Sequence, residues 1–184
     1  MFPWPVDARN KQDKTRTIFI ECAAGEDQLA QPSKSNEGQA RLCHLVCSLL
    51  STENGSNQAR RDIPATSEQS IAVLTPYTRQ LGVLKKKLAG MKNIEVSSID
   101  GYQGREADIV VFVTTRCNTS CNIGFLKDLR RMNVALTRAK AGTIIIGNRA
   151  TLTQGTADPE STEVWKRLLG TLVTVDIGDN SRQY

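Results

Sequence analysis

Short apolar runs alternate along the chain with segments of helical periodicity. The runs are rich in Val and Ile and show no strict polar alternation, which is typical of buried parallel strands. We predict strands at 17–23, 71–75, 94–99, 108–115 and 142–148, with a further candidate at 171–177. Apolar spacings of three and four residues predict helices at 39–50, 76–88 and 128–140, and the polar segment 51–69 is predicted to be a loop. The predicted fold class is therefore α/β, a parallel sheet with helices on both faces.

The helix predicted at 128–140 has two distinct faces. Its apolar stripe consists of Leu129, Met132, Leu136 and Ala139. At about 100° per residue, Lys127, Arg131 and Arg138 fall on the opposite side and form a cationic ridge. A guanidinium on a rigid helix suits a phosphate. An ordinary solvated basic face fits the same pattern, and the local sequence leaves both interpretations open.

A loop between two predicted strands concentrates glycine and functional side chains. Its sequence is Gly101-Tyr102-Gln103-Gly104-Arg105-Glu106. Gly104 can bring a backbone N–H against a phosphate, and Glu106 can hold a sugar hydroxyl. The alternative is a tight turn in which the glycines supply positive φ and the charges are solvated.

The 184 residues contain no self-contained triphosphate site. A phosphate-binding loop requires G-x-x-x-x-G-K-[ST], in which glycine amides wrap the phosphates. The nearest match, from Gly142 to Arg149, has a predicted strand in its middle and lacks the Lys and the Ser or Thr. Neither G-x-G-x-x-G nor an apolar strand ending in Asp-Glu is present.

Length and charge narrow the class of protein. At roughly 150 residues per domain, 184 residues predict a single domain. The net charge of +5 and the pI of about 9.1 favour a nucleic-acid partner, although only 5% of residues are aromatic and able to stack on bases. No run approaches the roughly 20 apolar residues of a membrane helix, and the N-terminus lacks a signal-peptide pattern. We therefore expect neither membrane association nor secretion.

Five cysteines, an odd number, favour reduced thiols and a cytoplasmic or nuclear location. Cys43 and Cys47 flank the only histidine, His44, and Cys117 lies four residues before Cys121. Structural zinc prefers other spacings, whereas buried thiols are common in an apolar helical run such as the one that holds the first pair. We therefore expect no bound metal. His44 also has no recognisable partner for nucleophilic catalysis.

Four stretches in a fixed order resemble one known family. They are Phe2-Pro3-Trp4-Pro5, Leu74-Thr75-Pro76-Tyr77-x-x-Gln80, Ser98-Ile99-Asp100-x-x-Gln103-Gly104-Arg105-Glu106, and GFLKDLRRMNVALTRAK from Gly124 to Lys140. The family is the superfamily 1 helicases related to the nonsense-mediated-decay helicase, and the resemblance is to their second RecA-like motor domain. It covers roughly residues 1–150 and extends to the helix with Trp165-x-x-Leu168-Leu169. We accordingly divide the chain into an N-terminal extension (1–16), a RecA-like domain (17–177) and a frayed tail (178–184).

The resemblance implies roles for individual residues. Arg138 would reach across an interdomain cleft to the γ-phosphate and stabilise charge in phosphoryl transfer, as an arginine finger does. Gly104 and Glu106 would line the nucleotide, with Glu106 on the ribose. The residues implied to contact the backbone of a single nucleic-acid strand are Thr75, Ser98 and Gln103, and those implied to support the arginine are Arg131 and Thr137.

The sequence lacks the motifs that this family carries in its first RecA-like domain. In this family the first RecA-like domain carries the phosphate loop, the Mg²⁺-binding Asp-Glu strand and a Gln-Tyr-Arg motif, and the 184 residues contain none of them. ATP and Mg²⁺ are therefore expected only when a first RecA-like domain, in cis or in trans, completes the site, and the isolated chain is expected to be inactive. The expected partners are that domain and single-stranded RNA or DNA. The alternative is a non-catalytic module, derived from such a helicase, that binds nucleic acid or protein.

Overall fold

The computed structural model describes residues 17–56 and 69–175. The Phe2-Pro3-Trp4-Pro5 stretch, most of the predicted loop at 51–69 and the tail at 178–184 lie outside these residues. The strands are β1 (Thr17–Glu21), β2 (Ile71–Thr75), β3 (Ile94–Ser98), β4 (Ala107–Val113), β5 (Ala139–Gly147) and β6 (Val173–Val175). The helices are α1 (Glu37–Ser56), α2 (Thr78–Lys87), α3 (Leu129–Leu136), α4 (Arg149–Thr153) and α5 (Pro159–Gly170), with 3₁₀ turns at Asp100–Tyr102 and Gly124–Lys127.

The six strands form one parallel sheet in the order β3-β2-β4-β5-β1-β6. The fold class predicted from the apolar runs is thus confirmed, as a single RecA-like α/β sheet. From β2 the chain proceeds to β3 on one side, and from β4 it proceeds to β5 on the other. Open α/β sheets bind ligands at such a switch point, beyond the carboxyl ends of the strands. The residues that follow Thr75 and Val113 lie at this switch point.

Helices cover both faces of the sheet, because every central strand is apolar on both sides. On one face α1 and α2 contribute Cys43, Cys47 and Leu84, all fully buried against the strands. On the other face α3, α4 and α5 contribute a second core that includes Met132 and Trp165. The interpretation of Cys43 and Cys47 as buried helical thiols is therefore confirmed. Within the described helices, none is both long and apolar enough to cross a membrane.

The helix predicted at 128–140 is wrong in its second half. Helix α3 ends at Leu136, where the Thr137 hydroxyl donates to the carbonyl of Asn133 at 2.8 Å. Ala139 is not part of a helical stripe, because it begins β5 and pairs with Ala107 of β4. Non-local strand pairing here overrides a periodicity that continues smoothly through the local sequence.

The cationic ridge predicted along this helix is consequently also wrong. Lys127 lies in the preceding 3₁₀ turn, Arg131 lies on α3, and Arg138 follows the end of the helix. The three cations therefore belong to three different local structures.

Other boundaries differ by a few residues from those predicted. Helix α2 begins at Thr78 rather than at the proline, because Tyr77 is in an extended conformation. Helix α1 continues to Ser56, into the segment predicted as a loop. The candidate strand at 171–177 contains only three strand residues in the described part, 173–175. Helix α4 had no periodic signal because it is only five residues long.

Candidate nucleotide and nucleic-acid site

The loop between β3 and β4 crosses from one edge of the sheet to the other. Since the strands are parallel, β3 ends at the carboxyl edge and β4 begins at the amino edge. Tyr102 anchors the crossing by its burial in the core. The functional side chains predicted in this loop are thereby distributed between two edges.

At the carboxyl edge the loop presents polar groups to solvent. The Ser98 hydroxyl accepts a hydrogen bond from the Gly101 backbone N–H at 3.0 Å. A Cβ on Gly101 would lie 2.9 Å from the Ser97 hydroxyl and 3.0 Å from that of Ser98, so a larger residue here would require these side chains to shift. Gln103 is exposed immediately after the 3₁₀ turn. Ser98 precedes this turn and Gln103 follows it, with the Gln103 backbone N–H donating to the Asp100 carbonyl at 3.3 Å.

The second half of the loop leads to the amino edge and presents Gly104 and Glu106, both exposed. Gly104 has φ of +77°, a conformation that favours glycine, and its backbone is accessible. Between them, the Arg105 guanidinium forms a bidentate ion pair with Glu95 and lies 4.9 Å from the centre of the Tyr102 ring. Arg105 therefore fixes the loop to the edge strand and leaves Glu106 on the surface.

Arg138 lies at the same amino edge as Glu106. Its backbone carbonyl accepts a hydrogen bond from the Ala107 N–H at 3.1 Å, which places the two segments side by side. Its guanidinium folds back on the end of α3, with Nε donating to the Val134 carbonyl at 3.0 Å and Nη2 to the Thr137 hydroxyl at 3.1 Å. A cation is favourable at a helix C-terminus. The side chain is partly exposed, and these two contacts must break before it can reach out.

Arg131 connects the two halves of the candidate site. Its Nε lies 3.3 Å from a carboxylate oxygen of Asp100, in the β3–β4 loop, and 3.6 Å from one of Asp128. Asp128 also caps α3 by accepting from the Arg131 backbone N–H. The side chains of Arg131, Asp100 and Asp128 are all exposed, so these ion pairs contribute little to stability. They do orient the arginine helix relative to the loop that carries Ser98 and Gln103.

Thr75 is placed differently from the other predicted contact residues. It ends β2 at the carboxyl edge and is completely buried. Its hydroxyl lies 3.1 Å from that of Thr115 and accepts from the Tyr77 backbone N–H at 3.4 Å. The Thr75 side chain supports the edge from within, and its contact with a nucleic-acid strand stays a prediction.

A buried charge pair beside Thr75 was not identified from the sequence. Arg116 Nε donates to Glu26 Oε2 at 2.8 Å, and the two side chains are only 9% and 5% exposed. The same oxygen accepts from the backbone N–H of Cys117 at 3.0 Å and from the amide of Asn118 at 3.1 Å. Burial alone would lower the pKa of Arg116, but the hydrogen bond to Tyr77 and the charge of Glu26 outweigh it and raise that pKa. The guanidinium therefore stays charged inside the protein.

Amide side chains complete this buried cluster. The Asn36 backbone N–H donates to Gln80 Oε1 at 2.7 Å, and its side chain donates to the carbonyls of Ala24 and Thr115. Gln39 Oε1 accepts from the Thr115 N–H at 2.7 Å, which holds Thr115 at φ of +71°. Gln80 belongs to a stretch quoted above, but the others have no local signal because their partners lie tens of residues away.

No described group of three or more His, Cys, Asp and Glu side chains is arranged to hold a metal ion. The described C-x-x-x-C pairs are instead free thiols on α1 and near the carboxyl edge. Burial raises the pKa of Cys117, and the neighbouring Cys22 and Glu26 raise it further. A thiol in this state is a poor metal ligand.

Comparison with known proteins decides the family to which these motifs belong. A family model described as an AAA domain matches residues 3–150, which include the β3–β4 loop, the arginine helix and the buried cluster. The chain belongs to this family, within the helicase group related to the nonsense-mediated-decay helicase. The resemblance stated from the four stretches is thereby confirmed.

Three relatives show the breadth of this group. The chain is 35% identical over 170 residues to regulator of nonsense transcripts 1 of Dictyostelium discoideum, which covers 91% of the chain and 12% of that protein. It is 36% identical over 119 residues to DNA polymerase alpha-associated DNA helicase A of Saccharomyces cerevisiae, a match that covers 63% of the chain and 16% of that protein. It is 43% identical over 88 residues to helicase sen1 of Schizosaccharomyces pombe, a match that covers 45% of the chain and 5% of that protein. The chain thus spans less than a fifth of the length of these curated relatives.

Proposed function

We propose that this chain acts as the second motor domain of an ATP-dependent RNA or DNA helicase and supplies the arginine finger to an ATP site completed by a first RecA-like domain. The observation that carries the proposal is the position of Arg138 beside Glu106 at one exposed edge of the sheet. One side chain suits a γ-phosphate and the other a ribose hydroxyl. The rest of a triphosphate site is absent from the 184 residues.

Arg138 supplies positive charge from outside the phosphate-binding domain. A phosphoryl group spreads negative charge over its oxygens as it transfers, and a guanidinium placed against those oxygens lowers the barrier. In this structure the same guanidinium is bound to the end of α3 by two neutral acceptors. A charged phosphate is a stronger partner than a carbonyl or a hydroxyl, so docking of a nucleotide-loaded first domain draws the side chain outward.

The nucleotide edge and the nucleic-acid edge are joined by one loop and one ion pair. Ser98 ends β3 at the carboxyl edge, Gln103 lies in the middle of the loop, and Glu106 ends the loop at the opposite edge. The ion pair of Arg131 with Asp100 ties this loop to the helix that precedes Arg138. The loop and the helix before Arg138 therefore connect the two proposed sites, and a motor domain requires such a connection between its nucleotide and its strand.

Reconstitution with a first RecA-like domain of the same family tests the proposal. The two domains are mixed with single-stranded RNA, and steady-state ATP hydrolysis is measured for the wild-type chain, Arg138→Ala and Arg167→Ala. Arg167 is an exposed arginine on α5, so its variant controls for the loss of one positive charge. An arginine finger is worth about 10³–10⁵ in turnover, so Arg138→Ala should reduce hydrolysis to near background while Arg167→Ala leaves it unchanged.

Two results would contradict the assignment. An unchanged rate with Arg138→Ala would exclude the arginine from catalysis. Salt-sensitive RNA binding without any ATP hydrolysis in the mixture would favour the non-catalytic module instead.

A further inference from the structure

A pocket of about 410 Å³ opens beside the buried charge pair at the carboxyl edge. Its wall includes Arg116, Gly124, Phe125, Lys127, Asp158 and Thr162. These residues come from the end of β4, the 3₁₀ turn at Gly124–Lys127 and the start of α5. None of them is among the residues assigned above to the nucleotide or the strand. The volume is within the range of small-molecule pockets.

Arg116 gives this pocket an unusual donor. Its Nε is used by Glu26 and its Nη1 by the Tyr77 hydroxyl at 3.4 Å, while Nη2 has no hydrogen-bond partner among the described residues. A Cβ on Gly124 would lie 2.3 Å from Nη1, so glycine at this position keeps the guanidinium accessible. A charged side chain that is nine-tenths buried therefore presents N–H groups to a space that a ligand can enter.

Phe125 provides a flat platform at the same pocket. The residue is 41% exposed, and its ring lies 5.3 Å from the Tyr77 ring, centre to centre. Its backbone N–H donates to the Tyr77 hydroxyl at 3.1 Å, which fixes the position of the residue. An exposed aromatic ring held in this way is a stacking surface for a nucleobase. Lys127 is exposed nearby and suits an adjoining phosphate.

Asp158 supplies acceptors to complement the arginine. One carboxylate oxygen caps α5 by accepting from the Ser161 N–H at 3.2 Å, and the other has no partner among the described residues. The Thr162 hydroxyl is buried and likewise unpartnered within residues 17–56 and 69–175. The pocket thus combines a two-N–H donor, a carboxylate acceptor and a stacking ring. Guanine matches this set, because it offers the acceptors O6 and N7 and also the N1–H and N2–H₂ donors.

We propose that this pocket binds a guanine base of the single strand, so that the domain prefers guanine at one position. The inference rests on the proposed function, since it requires that a single strand passes over the carboxyl edge. The position is consistent with that path, because Arg116 follows the carboxyl end of β4 and Ser98 ends β3 at the same edge of the sheet. The preference depends on base edges and is distinct from binding of the phosphate backbone.

The test measures affinity of the 184-residue chain for labelled eight-residue RNAs by fluorescence anisotropy. The central nucleotide of an otherwise all-uridine RNA is guanosine, adenosine or an abasic residue. The variants are Phe125→Ala and Asp158→Asn. Because asparagine caps a helix as well as aspartate does, Asp158→Asn preserves α5. Val164→Ala is the matched control for Phe125, because Val164 is an exposed apolar residue outside the pocket.

The wild-type chain should bind the guanosine RNA about five-fold or more tightly than the adenosine RNA. Asp158→Asn should remove this difference, and Phe125→Ala should weaken guanosine RNA by about five-fold or more while leaving the abasic RNA unchanged. Val164→Ala should behave as wild type.

The outcomes separate this inference from the proposed function. Equal binding of all three RNAs, unaltered by the variants, would overturn the guanine pocket but leave strand binding intact. Failure of every RNA to bind the chain would overturn the guanine pocket, whereas the proposed function is overturned separately by an unchanged ATPase rate of Arg138→Ala in the reconstituted mixture. Displacement of guanosine RNA by an equal concentration of free GMP would assign the pocket to a mononucleotide and overturn the inference as well.

Discussion

Glu26→Ala is expected to be among the most destabilising substitutions in the described part of the chain. It removes the carboxylate oxygen that accepts from Arg116 at 2.8 Å, from the Cys117 backbone at 3.0 Å and from Asn118 at 3.1 Å. The guanidinium left behind is 91% buried and has only the long contact to Tyr77. Removing one partner of a buried ion pair costs about 3–5 kcal/mol.

Urea unfolding followed by circular dichroism measures this cost. Against a total stability of about 5–15 kcal/mol, the shift in midpoint should be large. Glu26→Gln keeps an oxygen that can accept from the Cys117 N–H, so its cost should be smaller, about 1–3 kcal/mol. The control is Glu163→Ala, since this carboxylate is 60% exposed and lies 3.9 Å from Lys166; it should change stability by less than about 0.5 kcal/mol. If Glu26→Ala costs no more than Glu163→Ala, the charge pair does not hold this edge together.

Two further predictions concern the backbone and pH. Gly124→Ala should destabilise the protein by about 1–3 kcal/mol, because φ is +55° and the new Cβ would meet Arg116 and Tyr77. Gly82 lies on the exposed face of α2 with open space around it, so Gly82→Ala should stabilise the protein by about 0.5–1 kcal/mol. Equal changes in the urea unfolding midpoint for the two substitutions would show that the backbone conformation of Gly124 does not matter. Hydrogen bonds from the backbone N–H of Ser70 and then from its side chain hold the pKa of Asp108 below its usual 3.8. The ionised carboxylate therefore stabilises the fold above pH 3.8, and this contribution is lost as the pH falls through the lowered pKa. The stability difference between wild type and Asp108→Asn should therefore shrink between pH 6 and pH 3, and a difference independent of pH would contradict this.

The fold was predictable from the sequence because central parallel strands are apolar on both faces. Runs such as 71–75 and 142–148 need no partner to be recognised, and each lies in the sheet as expected. The end of α3 was not predictable in the same way. Leu136 and Ala139 continue a helical spacing, and only the pairing of Ala139 with Ala107, 32 residues earlier, moves the chain into β5.

In the candidate site, too, residues in contiguous motifs were predictable, whereas pairs that are distant in the chain were not. Arg138, Glu106 and Gln103 belong to contiguous motifs and were located by resemblance to a family. The Glu26–Arg116 pair joins residues 90 positions apart, and each is an ordinary charged residue in its own surroundings. Nothing in the local pattern distinguishes it from a solvated pair. The burial of Thr75 was similarly hidden, because a threonine at the end of a strand is equally compatible with an exposed or a buried hydroxyl.

Steady-state ATP hydrolysis by the chain alone tests the proposal that these 184 residues hold half of an ATP site. The purified chain is assayed with saturating single-stranded RNA, before and after addition of a first RecA-like domain of the same family. We expect no turnover by the chain alone and RNA-stimulated turnover in the mixture. Turnover by the chain alone, abolished by Arg138→Ala, would mean that the chain contains a complete phosphate site and that the half-site proposal is wrong.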